Sequence, residues 1–455
     1  MGVKSITFKH IFVIKIFFLI LFFYSNCFAK IKFLDWQEYS TVNTFGKTSH
    51  HKMLLKVVDL PPDYTTSSFS ITSNSQDVSS IYNLKVDGQN AQYTYQNNHL
   101  EITFPQKKKN NETITIEYDF KQKYSKFNKY LNDVAIYLPQ FASGARAKVV
   151  INFAPDFRLI SIHNNIIIEE NKIIYQGIVP QSGLQENLRF TNKKVAWDVE
   201  ISNSINTNNA TGTLKVIAPY VFRGGAQEVQ DQTIATSMLP NEHLTTKENN
   251  MITFQLKPSL DKITITNKAT IITGDQYFIK NNSPQQNYLE ISESEQQLLL
   301  PILQQIIVDE KYENLPLYAK IGRYVHDYIT YDISYFSKLL SVSEILQEKK
   351  GVCAEYATLF NALARVAGIP SSIVYGYAYG DYNKFESHAW NMIYHDNHWF
   401  YVDPTWNLLA GSVSSSHIYV QDNRGDDLKI EYRGFDSPKF IFDKKFNIKE
   451  IYAFN

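Results

Sequence analysis

The sequence predicts a multidomain protein in which an all-β region of one or two β-sandwiches precedes a smaller α+β domain. Two observations lead to this fold class. From about residue 30 to 290, short alternating or β-branched runs are separated by turn residues about every 8 to 12 positions, as in "HLEITFP" and "TITIEYDF". After about residue 290, apolar residues recur at helical spacings of three and four, and short strand patterns follow them.

The domain boundaries follow from these changes of pattern. The 455 residues are enough for about three domains. We predict β-sandwich domains over 30–195 and 196–290, an α+β core over 291–407 and a C-terminal extension over 408–455. The extension carries no motif and is expected to be mostly irregular, with one or two strands.

The first 29 residues have the pattern of a secretory signal peptide. Lysines precede an uncharged apolar run from Ile16 to Ala29, which ends with Cys27 and Ala29 at the small-residue positions of a cleavage site. The run is short for a membrane span of ~20 residues, and no later segment approaches that length. We therefore expect an exported protein, periplasmic or secreted, with no membrane span in the mature chain.

Charge and cysteine content limit the classes of function that the protein can have. Lysine plus arginine and aspartate plus glutamate are equal at 45 each, so no basic field is available for a nucleic-acid backbone. Cleavage after Ala29 would remove Cys27 and leave Cys353 without a partner for an intramolecular disulfide. An unpaired cysteine in an exported protein indicates an intermolecular bond, a reactive thiol or a buried apolar residue.

Cys353 lies at the predicted start of a helix in "GVCAEYATLFNALARVAGIP", residues 351–370. The apolar stripe of that helix is formed by Ala357, Phe360, Leu363, Ala364 and Ala367. Cys353 precedes this stripe, where the positive end of the helix dipole favours a thiolate and free backbone N–H groups can hold an oxyanion. A reactive cysteine at this place needs a base.

The base is predicted from a hairpin in "SHAWNMIYHDNHWFYVDPTW". A tight turn at Asp396 and Asn397 joins two strand patterns, and this turn places Trp390 opposite Asp403. His388 and Asp403 are then diagonal neighbours on one face, so that the carboxylate can orient the imidazole. A slip of one residue would separate them.

Three motifs, "GVC", "HAW" and "VDPT", occur in this order, and the segment from about 290 to 407 resembles the transglutaminase-like superfamily. The resemblance implies a papain-like core with Cys353 as nucleophile, His388 as general base and then acid, and Asp403 as the orienting residue. It also implies acyl transfer from a peptide or carboxamide carbonyl of a protein or peptide substrate, through a cysteine thioester. Exported bacterial members of the superfamily often carry β-sandwich modules before the core.

Hydrolysis by a peptidase or amidase is slightly favoured here over cross-linking to an amine. The alternative is a non-catalytic binding or assembly module, with β-sandwiches and a vestigial core. Trp390 and Tyr375 are secondary candidates for substrate binding.

We expect no metal or other cofactor. A loop with Asp381, Asn383 and Glu386 offers oxygen ligands for Ca²⁺, but it lacks the central glycine of patterned calcium loops.

Overall fold

The structure is a computed structural model of the chain. It describes residues 30–454 apart from 44–45, 73–77, 98, 124, 162–165, 170, 193, 220–224, 246–248, 258–260, 275–282, 285, 339, 381, 423–428 and 435–439. The predicted signal peptide and Asp381 lie outside the described residues.

Strands dominate the chain up to residue 273. They are β1 (Lys30–Asn43), β2 (Gly46–Val58), β3 (Thr66–Thr72), β4 (Val78–Val86), β5 (Gln89–Asn90), β6 (Gln92–Gln96), β7 (His99–Lys108), β8 (Thr113–Gln122), β9 (Ser125–Lys126), β10 (Asn132–Leu138), β11 (Arg146–Phe153), β12 (Phe157–Leu159), β13 (Ile166–Glu169), β14 (Lys172–Ile178), β15 (Leu184–Asn192), β16 (Lys194–Asn206), β17 (Gly212–Pro219), β18 (Gln227–Thr236), β19 (Glu242–Thr245), β20 (Asn249–Leu256) and β21 (Lys262–Thr273). A short 3-10 helix lies at Gln140–Ala142.

Helices and strands share the rest of the chain. The α-helices are α1 (Glu293–Val308), α2 (Leu317–Tyr328), α3 (Val342–Glu348) and α4 (Cys353–Val366), and 3-10 helices lie at Gln286–Leu289, Glu310–Tyr312 and Ile333–Tyr335. The strands are β22 (Thr330–Tyr331), β23 (Lys350–Gly351), β24 (Ser371–Tyr379), β25 (Phe385–His395), β26 (His398–Val402), β27 (Ile418–Asp422), β28 (Lys429–Arg433) and β29 (Ile441–Phe454). None of these helices has the length and apolar content needed to cross a membrane.

The chain divides into two compact units. The first contains residues up to 123, 136–152 and 167–186, and the second contains 124–135, 153–166 and 187 onward. Most of the first unit is an eight-stranded sheet, in the order β13-β14-β11-β1-β2-β8-β4-β5, and a three-stranded sheet, β3-β7-β6. The strands form because apolar residues alternate: in β8, Ile114, Ile116, Tyr118 and Phe120 are buried between more exposed neighbours.

The second unit contains a β-sandwich made of the sheets β18-β21-β16-β29 and β19-β20-β17-β28. Side chains from both sheets meet in one apolar core, whose buried members include Ile205, Leu214, Val216, Phe254 and Ile263. Of the sheet β12-β15-β10-β9, this unit contains β9, β12 and the greater part of β15 and β10. The predicted domain boundaries near residues 195 and 290 stay predictions.

The α+β part of the second unit is built on the sheet β26-β25-β24-β27. Helices α1, α2 and α4 share a buried core with this sheet, with members such as Leu303, Ile321, Phe360, Leu363 and Ile393. The predicted fold class, an all-β region followed by an α+β core, is therefore confirmed.

Capping side chains determine where the helices start and stop. Ser292 caps α1 and Ser341 caps α3, each in a capping box with the glutamate three residues later. Lys349 ends α3 in the left-handed conformation, with a φ of 54°. After α4, Gly368 adopts a φ of +74°.

The segment after residue 407 is more regular than predicted. Its described residues form three strands where the sequence suggested one or two: β27 pairs with β24, β28 with β17 and β29 with β16. β28 and β29 complete sheets whose other strands lie before residue 274, whereas β27 joins the sheet of the α+β part. Such long-range pairing leaves little local signature in the sequence.

Candidate active site

Cys353 is the first residue of α4, as the sequence predicted, and its thiol is free and partly exposed. The helix has no side-chain cap at Val352. Instead, Oε2 of the buried Glu355 accepts the backbone N–H of Val352 at 2.9 Å. A Cβ on Gly351 would lie 2.4 Å from Cβ of Glu355, so only glycine leaves room for this carboxylate beside the nucleophile.

The predicted hairpin and its register are confirmed. Asp396 and Asn397 have φ values of 50° and 63°, which suit a tight two-residue turn, and His395 pairs with His398. The register continues to the pair formed by Asn391 and Val402. His388 therefore reaches the chain just beyond the end of β26, where Asp403 lies.

His388 and Asp403 form a buried pair. His388 Nε2 lies 2.8 Å from Asp403 Oδ2, and both side chains are almost completely shielded from solvent. The other carboxylate oxygen, Oδ1, accepts the backbone N–H of Thr405 at 2.9 Å and that of Trp406 at 3.4 Å. The backbone of Asp403 exchanges two 2.9 Å hydrogen bonds with Leu408. The carboxylate is thus held from several sides.

The electrostatics of this pair favour a protonated imidazole. Burial alone would lower the pKa of His388, but the negative charge of Asp403, the proximity of Cys353 and the hydrogen bond to Asp403 raise it to about 10. Burial would likewise raise the pKa of Asp403. The positive charge of His388 and the hydrogen bonds from His388 and His417 instead hold it well below its usual range. Nε2 is hydrogen-bonded to Asp403. Nδ1 is therefore the ring nitrogen that is available to exchange a proton with the Cys353 thiol.

Two indole rings lie nearly parallel to the His388 imidazole. Trp406 stacks on it with 4.5 Å between ring centroids and 19° between planes, and Trp390 lies at 6.0 Å and 23°. Indole faces attract a cation, so both rings favour the imidazolium form.

His417, which precedes β27, was not predicted from the sequence. Its Nε2 lies 3.2 Å from Asp403 Oδ2, the oxygen that also contacts His388. Its ring is buried and meets those of Trp390 and Trp406 edge-on. No local signal singles out this histidine in "VSSSHIYV", because only the pairing of β27 with β24 brings it to the site.

Among the described residues, His388, Asp403 and His417 form a group that could hold a metal ion, since one ligand atom of each lies within 4.8 Å of the others. Both histidine nitrogens, however, already contact one carboxylate oxygen at 2.8 and 3.2 Å. A metal would have to replace both N–H donors. We therefore interpret the group as a hydrogen-bond network.

A second missed contribution comes from the strand β15. Arg189 forms a fork to Asp133, with distances of 2.8 and 3.0 Å, and donates to the carbonyl of Trp406 at 3.0 Å. Its guanidinium also lies 4.3 Å from the ring centroid of Phe127, which packs edge-on against Trp406. The ring that stacks on His388 is thus supported by residues from the β-rich part of the second unit.

The secondary candidates lie in the same sheet. Trp390 is fully buried between His388 and Tyr401, and Tyr375 is half-buried on β24, paired with Ala389 and Gln421. That they contact substrate stays a prediction.

Of the suggested calcium ligands, Asp381 lies outside the described residues. The Glu386 carboxylate lies 3.4 Å from Nζ of Lys384, so its charge is already balanced by an ion pair. Calcium binding in this loop stays a prediction.

Residues 304–404 match the model of the transglutaminase-like superfamily. Over these residues the chain is similar to that superfamily. Kyphoscoliosis peptidase from Homo sapiens and its counterpart from Mus musculus are each 31% identical to the chain over 126 residues. The match covers 25% of this chain and 19% of each peptidase, so the chain spans about a fifth of the length of these relatives.

Among solved structures, a candidate cysteine protease from Cytophaga hutchinsonii aligns with a TM-score of 0.43 and 13% identity. The alignment covers 58% of this chain and 92% of that protein. The superfamily match over 304–404 alone confirms the resemblance that the three sequence motifs indicated.

Proposed function

We propose that this protein is a thiol enzyme that transfers acyl groups from a peptide or carboxamide carbonyl through a thioester on Cys353. One observation carries the proposal: the buried 2.8 Å contact of His388 with Asp403, next to a free cysteine at the first position of a helix. An orienting carboxylate, an imidazole and a thiol in this arrangement are the parts of a nucleophilic triad.

In the first half of the proposed reaction, the Cys353 thiolate attacks the carbonyl carbon of the substrate. The oxyanion is held by the backbone N–H groups of Cys353 and Ala354, which lie in the first turn of α4 and have no intrahelical acceptor. The His388 imidazolium then gives its proton to the leaving nitrogen, the carbon–nitrogen bond breaks, and ammonia or an amine departs. The acyl group remains on Cys353 as a thioester.

In the second half, His388 takes a proton from the nucleophile that attacks the thioester. Water yields a carboxylic acid and makes the protein a peptidase or amidase, whereas a substrate amine yields a new amide bond. Either attack returns the thiolate and the imidazolium. We favour hydrolysis, because the partly exposed Cys353 leaves the thioester open to water. The substrate class that we propose is protein or peptide.

We also propose that the enzyme acts after export, either in a periplasm or outside the cell. The charged start, apolar run and small-residue end of residues 1–29 support this. Sequencing the N-terminus of the protein recovered from expressing cells tests it. A new terminus near residue 30 is expected, and an intact Met1 in all fractions would contradict export.

The thiol chemistry is tested in a chain that carries Cys27→Ser, so that Cys353 is its one cysteine. We expect iodoacetamide to alkylate Cys353 at neutral pH at least about tenfold faster than free cysteine. In His388→Ala the fast reaction should disappear, while circular dichroism shows an unchanged fold. Labelling of the parent chain at the slow rate of an ordinary thiol would refute the proposed nucleophile.

The reaction outcome is tested by incubating the parent chain and its Cys353→Ser variant with a protein mixture and a tagged primary amine. New fragments that depend on Cys353 indicate a peptidase, and tagged proteins that depend on it indicate a transferase. Identical results for both chains, together with slow alkylation, would favour the non-catalytic binding module.

A further inference from the structure

His417 occupies a position behind the proposed catalytic pair. Its side chain is buried, and its Nε2 lies 3.2 Å from Asp403 Oδ2, while His388 Nε2 lies 2.8 Å from the same oxygen. The imidazole rings of His417 and His388 are 5.4 Å apart and inclined at 72°. One carboxylate oxygen therefore contacts two histidines, one on β25 and one just before β27.

The chemistry of the two nitrogens fixes the proton on His417. A carboxylate oxygen accepts hydrogen bonds, so the nitrogen that contacts it must carry the proton. The other nitrogen, Nδ1, is buried, and the backbone of Ser414 lies near the ring. Burial lowers the pKa of His417 and outweighs the attraction of Asp403. His417 thus donates Nε2–H to Asp403.

We propose that His417 is a positioning residue for the acyl transfer proposed above: its Nε2–H holds Asp403 Oδ2 against His388 and keeps that carboxylate ionised. The inference rests on the proposed function. It assigns His417 no contact with substrate, because the ring is enclosed by Asp403 and the edges of Trp390 and Trp406.

Other charged or titratable groups of the described residues face this network from neighbouring elements. On α2, His326 Nδ1 contacts the carbonyl of Pro404 at 3.0 Å, and burial lowers the pKa of this histidine. On β15, Arg189 donates to the carbonyl of Trp406. Both contact backbone atoms after Asp403 and leave its Oδ2 to the histidines. Cys353 faces the network through His388.

Removing the Nε2–H donor of His417 should raise the pKa of Asp403. Asp403 Oδ1 keeps its two backbone hydrogen bonds, so the carboxylate stays in place without His417. It loses one donor, and its pKa rises toward the usual range. Protonated Asp403 has no negative charge to stabilise the His388 imidazolium. As the pH is lowered, the alkylation rate of Cys353 should therefore begin to fall at a higher pH than in the parent chain.

The experiment compares His417→Phe and His417→Gln in the Cys27→Ser chain by measuring iodoacetamide alkylation between pH 3 and 8. Phenylalanine keeps a ring in the buried space but has no donor, and the glutamine amide can donate to Asp403. We expect the acid limb of the rate profile to move up by about one pH unit in His417→Phe. In His417→Gln it should stay near the parent value.

Each result decides the question. An acid limb that is unshifted in His417→Phe would overturn the inference, even if the alkylation rate falls uniformly, because loss of packing alone would not move the midpoint. An equal shift in both variants would also overturn it. Slow alkylation of the parent chain at every pH would instead refute the proposed function itself.

Discussion

Trp406 stacks on His388 with 4.5 Å between the ring centroids, and the residue that holds the Trp406 carbonyl, Arg189, comes from a strand more than 200 positions earlier. The stack brings the face of an indole to an imidazole whose pKa is raised to about 10, so the ring contacts a cation over most of the pH range. A member of the proposed triad thus depends on a side chain outside it.

Replacing Trp406 with leucine should therefore weaken the imidazolium. A cation–π contact contributes about 1 kcal/mol, so we expect the alkylation rate of Cys353 at neutral pH to fall about fivefold in Trp406→Leu. Trp406→Phe keeps an aromatic face and should lose less. The measurement is the iodoacetamide rate in the Cys27→Ser chain. Equal rates for the parent chain and the leucine variant would mean that the stack has no electrostatic role.

The sequence revealed the parts of the site that depend on local geometry. Asp396 and Asn397 identify a two-residue turn, and the two-residue period of a strand then places His388 beside Asp403. The position of Cys353 before an apolar helical stripe likewise follows from the helical period.

The sequence could not reveal His417 or Arg189. His417 reaches the site because β27 pairs with β24, and Arg189 reaches it across the 217 positions that separate it from Trp406. Neither residue belongs to a periodic pattern that includes the motifs. Pairing of strands far apart in sequence is decided by packing in the folded chain, which one sequence does not show. The number of strands after residue 407 was underestimated for the same reason.

The buried pair of His388 and Asp403 should make stability depend on pH. The pKa of His388 is raised from 6.5 to about 10 on folding, so its contribution is complete below about pH 6.5 and is lost as the pH rises toward 10. The pKa of Asp403 is depressed, so its contribution is present above the ordinary value of 3.8 and is lost as the pH falls below it. The pair should therefore stabilise the second unit most between about pH 4 and 6.5.

This prediction is measured by urea unfolding of the parent chain and of His388→Gln at a series of pH values. The free-energy difference between the two chains should be largest near pH 5 to 6 and shrink toward pH 10. The subtraction is needed because other groups titrate as well: in the first unit, the charges of Lys47 and His51 outweigh burial and depress the pKa of Glu38. A difference that stays constant from pH 5 to 10 would contradict the raised pKa of His388.

Arg189 should contribute to both stability and reactivity. Arg189→Ala would leave the mostly buried Asp133 carboxylate without its fork and the Trp406 carbonyl without its donor. We expect a loss of about 2 kcal/mol in the free energy of unfolding, because a mostly buried partner is left unpaired. Alkylation of Cys353 should slow as well, since Trp406 loses support.

The control for this variant is Arg146→Ala. Arg146 is largely exposed and lies 4.0 Å from Asp35, so its removal should change stability by less than about 0.5 kcal/mol. Lysine at position 189 keeps the charge but cannot form the fork, so Arg189→Lys should fall between the parent chain and Arg189→Ala. If Arg189→Ala unfolds like Arg146→Ala, the fork to Asp133 does not stabilise this region.

Gly376 offers a test of the sheet that brings His417 to the site. Gly376 on β24 lies between His388 on β25 and Tyr419 on β27. A Cβ at this position would lie 2.0 Å from the carbonyl oxygen of Ile418 and 2.8 Å from the Trp390 ring. A backbone oxygen cannot move aside as a flexible side chain can, so Gly376→Ala should push β27 away from β24. We expect about 3 kcal/mol of destabilisation and loss of fast alkylation.

The matched control is Gly380→Ala, just beyond the end of the same strand. There a Cβ would lie 3.4 Å from Oε2 of Glu386, the end of a flexible side chain that can move by a few tenths of an ångström. Stability should change by less than about 1 kcal/mol, and alkylation should stay fast. Unfolding free energies and iodoacetamide rates are measured for both variants. If Gly376→Ala matches Gly380→Ala in both measurements, β27 does not lie this close to β24, and the contact of His417 with Asp403, which depends on that pairing, fails with it.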